Sequence, residues 1–265
     1  MHDREMGRRA FIGATVFGAA GVMVGAVPRA WASTGVTHVV TLSFDDGFRA
    51  SSLKTAEIYE RHGLSACINV LATAHLPTFE MPNEYHQHPV GDFAFWNELQ
   101  ARGHEIMPHG FKHANKAEMP LAQAQDLILK CLDVFDRELD GFDRRKAVFN
   151  FPFNASTPEV EEWLSTQVRA FRTGGPPINP LPHPGQVRLT CTSHGPDPID
   201  EDLNRRVDEL LAQPSGWLVY NTHGIDDEGW GPLSSDGLDR LLARLVAIPA
   251  ARVLPAGRAL AEVAA

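Results

Sequence analysis

Two adjacent carboxylates stand at the end of an apolar run in the segment TLSFDDGF, residues 41–48. Asp45 and Asp46 follow the run, and Gly47 follows them. A solvated turn is one interpretation, because Asp and Gly are common turn residues. At the end of a buried strand, however, two ionised carboxylates repel each other, and burying either one is costly without compensation. A shared cation would stabilise one carboxylate and leave the other free to accept a proton.

Histidines follow two further strand-like runs. In GHEIMPHGFKH, residues 103–113, His109 and His113 stand four residues apart just after a short apolar run. One helical turn there would put both imidazoles on one face, where they can hold one ion. His223 directly follows the run WLVYNT. Two imidazoles and one carboxylate suit a divalent metal with open positions for water, whereas each histidine taken alone fits a surface loop equally well.

The elements that must position these residues alternate between strand-like and helical patterns. The predicted strands are 37–44, 65–72, 104–108, 146–153, 168–173, 186–193, 216–224 and 251–255. Stretches with apolar residues at helical spacing separate them, as is typical of parallel β-α-β units. We therefore predict an α/β fold, a single β/α barrel whose chemistry collects at the carboxyl ends of the strands.

One irregular stretch, residues 75–92, is long for a compact domain and predicts a functional loop or lid. It contains His75, His86 and His88, whose spacing fits no ligand template. We therefore interpret these three histidines as part of a plain exposed loop. Trp230, shortly after His223, is interpreted either as a platform for a sugar ring or as a packed loop aromatic.

The motifs TLSFDDG and GHEIMPHGFKH, in this order and spacing, resemble those of the polysaccharide deacetylases, the NodB-homology carbohydrate esterases of family 4. The first motif of that family is a TFDDG-like strand end, and the second is H-[ST]-x-x-H. The resemblance covers most of residues 33–265 and implies a single distorted (β/α)7 barrel. It also implies removal of N- or O-acetyl groups from sugars or polysaccharides with one divalent metal ion, often Zn²⁺.

The resemblance also assigns roles to individual residues. Asp46, His109 and His113 match the metal ligands of the family, and Asp45 matches its catalytic base. His223 matches the late histidine that protonates the leaving group. These roles are chemically consistent, because the metal activates the acetyl carbonyl and water while the base accepts a proton.

The third motif of the family, R-x-P-[YF], is incomplete in this chain. NFPF, residues 150–153, has Asn150 in place of the arginine, although the backbone N–H of Phe153 can still serve the oxyanion. Arg172 stands near the end of the next predicted strand. Since adjacent parallel strands lie about 4.8 Å apart, its guanidinium can reach Asp45 and replace the missing arginine. The alternative is that Arg172 faces solvent or pairs elsewhere.

The last motif departs from the family at the acyl pocket. Asn221 occupies the position of a leucine that lines the pocket, and Gly224 occupies the position of a common aspartate. Asn221 favours one alternative function, a hydrolase of the same fold that acts on a small non-sugar amide. A carbohydrate-binding protein without turnover is a second alternative, against which the retained base, metal ligands and acid argue.

Residues 1–32 resemble a twin-arginine signal peptide. Arg8 and Arg9 precede an apolar stretch, and the small residues of AWA predict cleavage after Ala32. A retained membrane anchor is the alternative. We expect a periplasmic or secreted catalytic domain of residues 33–265, without stable membrane association after cleavage.

Charge and cysteine usage narrow the class of protein further. The chain has 33 acidic and 24 basic residues, and a net charge of -9, so it has no basis for binding nucleic acid phosphates. Cys67, Cys131 and Cys191 show no metal-site spacing and no disulfide framework. We expect three buried free thiols.

Overall fold

Parallel strands alternate with helices along the chain in the computed structural model, which describes residues 31, 34–80 and 82–263. The strands are β1 His38–Phe44, β2 Cys67–Val70, β3 Glu105–Pro108, β4 Val148–Asn150, β5 Ala170–Gly174, β6 Ile178–Asn179, β7 Arg188–Cys191, β8 Gly216–Thr222 and β9 Ala251–Val253. The helices are α1 Arg49–Arg61, α2 Phe93–Ala101, α3 Leu121–Glu138, α4 Pro158–Leu164, α5 Asp200–Leu211, α6 Ser235–Val246 and α7 Ala256–Ala261. Short 3₁₀ turns lie at Glu84–His86, Lys116–Glu118 and Pro152–Asn154.

Strand β1 is the centre of the larger sheet. It pairs in parallel with β8 along its whole length, from His38 opposite Gly216 to Phe44 opposite Thr222. Its other edge is shared by β9 at the start and β2 at the end, and β2 in turn pairs with β3. All seven residues of β1 are buried, including the polar side chains of His38, Thr41 and Ser43, as expected for a central strand covered on both faces.

A second sheet completes the ring of strands. Its parallel order is β4-β5-β7, and a bridge between Thr192 and Tyr220 joins the end of β7 to β8. Between β3 and β4 the contacts involve side chains: Val148 N–H donates to Met107 Sδ at 3.4 Å, and Asn150 Nδ2 donates to Pro108 O at 3.5 Å. The sequential strands thus run β1-β2-β3-β4-β5-β7-β8 and return to β1, with interrupted hydrogen bonding at two joints. The predicted α/β fold of the distorted (β/α)7 type is confirmed.

The structure corrects two details of the predicted strands. The run 146–153 ends as a strand at Asn150, because Pro152 begins a 3₁₀ turn in which Phe153 has a φ of 58°. The loop after β5 contains β6, which pairs antiparallel with β8. A two-residue strand has no periodicity, so the sequence pattern could not predict it.

Residues next to the first helix are packed with little spare room. Gly47 has a φ of +75°, and a Cβ added there would lie 3.0 Å from the ring of Trp96. Trp96 itself is fully buried on α2. Gly47 therefore lets the chain turn sharply after Asp46 while α2 packs against the turn.

The predicted thiol and export features have different outcomes. Cys67, Cys131 and Cys191 are all buried and free, as predicted.

The predicted signal peptide lies outside the described residues except for Trp31, which is buried and donates its Nε1–H to Pro182 O at 3.0 Å. Cleavage after Ala32 would therefore remove a core side chain. Within the described part of the chain, every helix is too short or too polar to cross a membrane.

Candidate metal and catalytic site

Asp45 and Asp46 leave the carboxyl end of β1 in a sharp turn. Asp45 N–H continues the pairing with β8 by donating to Thr222 O at 2.9 Å. Asp46 has a φ of 70°, a left-handed conformation that a non-glycine residue adopts at a cost of about 1–3 kcal/mol. Both carboxylates are buried, with 2% and 3% of their surface exposed. The turn therefore holds two carboxylates inside the protein, and the solvated turn is excluded.

The His109–His113 segment brings both imidazoles to Asp46. His109 Nε2 lies 3.4 Å from Asp46 Oδ1, and His113 Nε2 lies 3.6 Å from the same oxygen. The helical turn considered for this segment does not form, because Gly110 has a φ of 115° and the segment bends irregularly. The two rings nevertheless lie 5.5 Å apart, centroid to centroid.

The hydrogen bond made by His109 Nδ1 leaves Nε2 facing the two carboxylates. Its Nδ1 lies 3.0 Å from Asn150 O, a backbone carbonyl that can only accept, so Nδ1 carries the proton. His109 Nε2 also lies 3.6 Å from Asp45 Oδ2. This is the arrangement of a metal-binding histidine, whose second nitrogen donates to a carbonyl.

The electrostatics of the site favour a charged Asp46 and a neutral His113. Burial alone raises the pKa of Asp46, but His113, His109 and His86 together hold that pKa well below its usual range. Burial lowers the pKa of His113 to about 3. An ionised carboxylate and a neutral imidazole are the protonation states in which these residues bind metal.

Several buried polar atoms around Asp46 make no hydrogen bond to any described residue. They are Asp46 Oδ1, His86 Nε2, His109 Nε2 and His113 Nδ1. Unpaired buried polar atoms are costly and rare in folded proteins. Two donors bonded to one ion at about 2.1 Å lie about 3.0–3.4 Å apart, and each of the three imidazoles lies 3.1–3.6 Å from an oxygen of Asp46. The residues therefore fit a divalent cation.

His86 is the site residue that the sequence patterns missed. It is buried, so the prediction of a plain exposed loop is wrong for this residue. Its Nε2 lies 3.1 Å from Asp46 Oδ2. Within the described residues, one set of three potential ligand atoms lies within 4.8 Å of one another; it consists of Asp46, His86 and His113 and does not include the predicted ligand His109. The signal available in the sequence was the length of the loop, since no ligand spacing pointed to His86.

Asp45 is held by three donors. Arg172 Nη2 donates to its Oδ2 at 2.6 Å, which is the contact that the sequence analysis predicts. Asn221 Nδ2 donates to the same oxygen at 2.7 Å, and Asn69 Nδ2 donates to Oδ1 at 2.7 Å. Burial by itself lowers the pKa of Arg172, but Asp45 holds that pKa above its usual value. The carboxylate is therefore oriented and paired with a buried positive charge.

Asn150 and Asn221 both have structural partners. Asn150 Nδ2 donates to Asn69 Oδ1 at 2.8 Å, so it supports the amide that binds Asp45. Asn221 Oδ1 accepts from Asn154 Nδ2 at 3.1 Å. The two residues that depart from the family pattern thus belong to one amide network behind Asp45.

His223 and Phe153 both line the same cavity. Burial lowers the pKa of His223, and its ring meets Trp230 edge-on at 5.6 Å between centroids. Phe153 exposes 53% of its surface, and its backbone N–H has no acceptor among the described residues. At Gly224 a Cβ would lie 2.0 Å from Glu228 O, so the aspartate seen in the family does not fit here.

The cavity measures about 300 Å³, at the lower end of small-molecule sites. Its lining includes every predicted metal and catalytic residue, together with polar and aromatic side chains. The lining residues are Asp45, Asp46, Asn83, Tyr85, His86, His109, His113, Phe153, Asn154, Ser193, Asn221, His223 and Trp230. Trp230 thus borders the site, as one of its two interpretations requires.

No family model and no curated protein matches this sequence. Solved structures match over most of the chain at low identity. The peptidoglycan deacetylase PdaC of Bacillus subtilis is 14% identical, with a TM-score of 0.53 over 86% of this chain and 92% of that chain. A family 4 carbohydrate esterase of Streptomyces lividans, solved with acetate, is 13% identical, with a TM-score of 0.53 over 82% and 91%.

The family 4 acetyl xylan esterase of Clostridium thermocellum, solved with a cobalt ion, is 16% identical to this chain. Its TM-score is 0.55 over 84% of this chain and 90% of that chain. At this level of identity the likeness concerns the backbone architecture. Together with the strand order described above, it shows that this chain has the fold of the family 4 carbohydrate esterases, the polysaccharide deacetylases.

Proposed function

We propose that this chain is a metal-dependent hydrolase that removes N- or O-acetyl groups from an acetylated sugar or polysaccharide. The observation that carries the proposal is the convergence of Asp45, Asp46, His109, His113 and His223 on one cavity at the carboxyl end of β1 and β8. In this fold, that end of the sheet is where substrates are expected to bind.

Asp46, His109 and His113 would hold one divalent ion, with Zn²⁺ as the expected metal. The fit rests on their buried, unpaired donor atoms and on the low pKa of Asp46. When bound, such an ion supplies Lewis-acid activation of the acyl carbonyl and of water.

Asp45 serves as the general base in this proposal. Its carboxylate lies beside the buried guanidinium of Arg172, and Asn69 and Asn221 fix the plane of that carboxylate. All of its described hydrogen bonds are accepted from amides and the guanidinium, so its remaining lone pairs can accept a proton from the attacking water. Orientation matters because a misplaced base loses much of its effect.

Phe153 stabilises the developing oxyanion in this proposal, and His223 protonates the leaving group. The free N–H of Phe153 can donate to the carbonyl oxygen as negative charge develops on it. His223 can donate a proton to the departing amine or alkoxide, since it borders the same cavity as Asp45. Trp230, edge-on to His223, would contact the sugar ring next to the acetyl group.

The proposed class of substrate is inferred from the fold and from the predicted export. The matched structures include enzymes named for peptidoglycan and for acetyl xylan. An exported enzyme would meet acetylated polymers of this kind outside the cytoplasm. The competing small-amide hypothesis loses part of its support, because the Asn221 amide binds Asp45 and Asn154 rather than lying free in the acyl pocket.

The proposal is tested by measuring released acetate from chitin oligomers, peptidoglycan fragments, acetylated xylan and small amides. Each substrate is assayed with metal-loaded protein and with Asp45→Asn as the inactive control. We expect acetate from at least one carbohydrate and none from the control. Release from small amides alone would support the alternative hydrolase, and no release from any substrate would support a binding protein without turnover.

A further inference from the structure

We infer that His86 is an additional metal ligand, which makes the site a set of three imidazoles and one carboxylate. The inference rests on the proposed metal site and extends it to the loop of residues 82–90. Its basis is the position of His86 Nε2, which lies 3.1 Å from Asp46 Oδ2 and makes no hydrogen bond within the described residues.

The tautomer of His86 directs a lone pair at Asp46. Asn83 Oδ1 accepts from Tyr85 N–H at 3.0 Å, which identifies this atom of Asn83 as the oxygen. His86 Nδ1 lies 2.8 Å from that oxygen and therefore carries the ring proton. In the neutral ring, the lone pair on Nε2 then faces a carboxylate oxygen, and two such atoms repel unless a metal ion or a second ring proton lies between them. A second nitrogen that donates to a fixed oxygen is also the usual support for a metal-binding histidine.

The loop that carries His86 is fastened to the turn that carries Asp46. Gly91 N–H donates to Gly47 O at 3.1 Å, and Arg49 N–H donates to Pro89 O at 2.8 Å. An antiparallel bridge also joins Phe48 to Val90. His86 is therefore held next to Asp46 by backbone hydrogen bonds on the neighbouring residues.

The imidazole of His113 completes the compact donor set and lies beside that of His86. The rings of His86 and His113 are 4.6 Å apart between centroids, and both side chains are 7% exposed. Asp46 sits between them and offers one carboxylate oxygen to each. Four protein ligands complete a tetrahedral coordination sphere. An ion that binds water as well at this site must therefore have a coordination number of five or more.

The sharpest test compares His86→Gln with His88→Gln on the same loop. His88 contacts Phe48 instead of the carboxylates and provides a matched control. Zn²⁺ affinity, measured by competition with a chelator, should fall at least about 10-fold in His86→Gln and stay unchanged in His88→Gln. X-ray absorption of Zn²⁺-loaded protein should count three imidazoles in the wild type and two in His86→Gln.

Two further measurements keep the inference testable if His86→Gln folds poorly. Asn83→Ala removes the acceptor for His86 Nδ1 and should weaken Zn²⁺ binding by about 10-fold. Hydrogen exchange of residues 82–90 should increase when Zn²⁺ is removed from the wild type. In His86→Gln, this exchange should already be fast with Zn²⁺ present.

The outcomes separate this inference from the proposed function. If His86→Gln keeps wild-type affinity and imidazole count while His109→Ala and His113→Ala lose the ion, His86 is not a ligand and the proposed function stands. Wild-type protein that binds no Zn²⁺ under any condition would overturn both.

Discussion

Arg172 occupies the register position directly beside Asn150. The two residues are Cα partners on β5 and β4, and Arg172 Nη2 lies 2.6 Å from Asp45 Oδ2. The family arginine would stand at position 150, so the positive charge has moved one strand sideways at the same level of the sheet. Asn150 then fills the vacated position and supports Asp45 through Asn69.

Replacing Arg172 by Met should lower turnover and leave metal content intact. The guanidinium orients Asp45 but contacts no proposed metal ligand in its described hydrogen bonds. Turnover is measured by acetate release and metal by elemental analysis. Because Arg172→Met leaves an uncompensated buried charge, it should also cost about 3–5 kcal/mol of unfolding free energy.

A double variant separates the structural effect of Arg172 from its effect on the base. Asp45→Asn/Arg172→Met removes both charges and should be more stable than Arg172→Met alone. Arg172→Lys keeps the charge without the planar fork and should retain part of the activity. An Arg172→Met enzyme with full turnover would show that Asp45 needs no partner from β5.

The two adjacent aspartates should behave differently when each becomes asparagine. Asp45→Asn should keep the metal and lose turnover by about 10²–10⁴-fold, because an amide cannot accept the proton. Asp46→Asn should lose metal affinity instead. A metal titration of both variants checks this, and similar affinities in the two would contradict the division of roles.

Buried Lys116 should make stability depend on pH in the alkaline range. Its Nζ donates to Ala114 O at 2.9 Å, and burial lowers its pKa from 10.5 to about 8. Between these values the unfolded state binds more protons, so the contribution of Lys116 to stability rises with pH through the window from about 8 to 10.5.

Urea unfolding across that window measures this effect. The free energy of unfolding of the wild type should rise relative to Lys116→Met by up to about 3 kcal/mol. The exposed Lys130 provides the control, since Lys130→Met should follow the wild type. A difference between wild type and Lys116→Met that does not change with pH would mean that Lys116 is not buried in solution.

Export and the packing of Trp31 give linked expectations. Replacing Arg8 and Arg9 by Lys should retain the precursor in the cytoplasm, whereas continued export would exclude the twin-arginine route.

Trp31→Ala in the full chain should cost about 3 kcal/mol of unfolding free energy, because the indole is buried and hydrogen-bonded. Mass spectrometry of the exported protein then shows whether the predicted cleavage after Ala32 removes this residue, and unchanged stability of Trp31→Ala would contradict its place in the core.

Strong local patterns made most of the fold predictable. The predicted strand 37–44 is β1 from His38, because runs rich in apolar residues directly reflect burial. The strand-end rule also placed Asp45 and Arg172 at one site, since parallel strands present their carboxyl ends together.

What the sequence could not predict depends on contacts between distant segments. His86 has no ligand spacing to His113, and it reaches Asp46 only because residues 89–91 bond to residues 47–49. The bend at His109–His113 likewise follows from the left-handed Gly110, not from helical spacing. The side-chain partners of Asn221 likewise depend on the three-dimensional arrangement of β1 and β8.

Acetate release by metal-free enzyme during titration with one divalent ion tests the proposed function most directly. Chelated protein is first shown by elemental analysis to contain no metal, and Zn²⁺ is then added in steps on the best acetylated carbohydrate. We expect no acetate before addition, and activity that rises to a plateau at one ion per chain in the wild type but not in Asp46→Asn. Full activity in protein that contains no detectable metal would contradict a metal-dependent deacetylase.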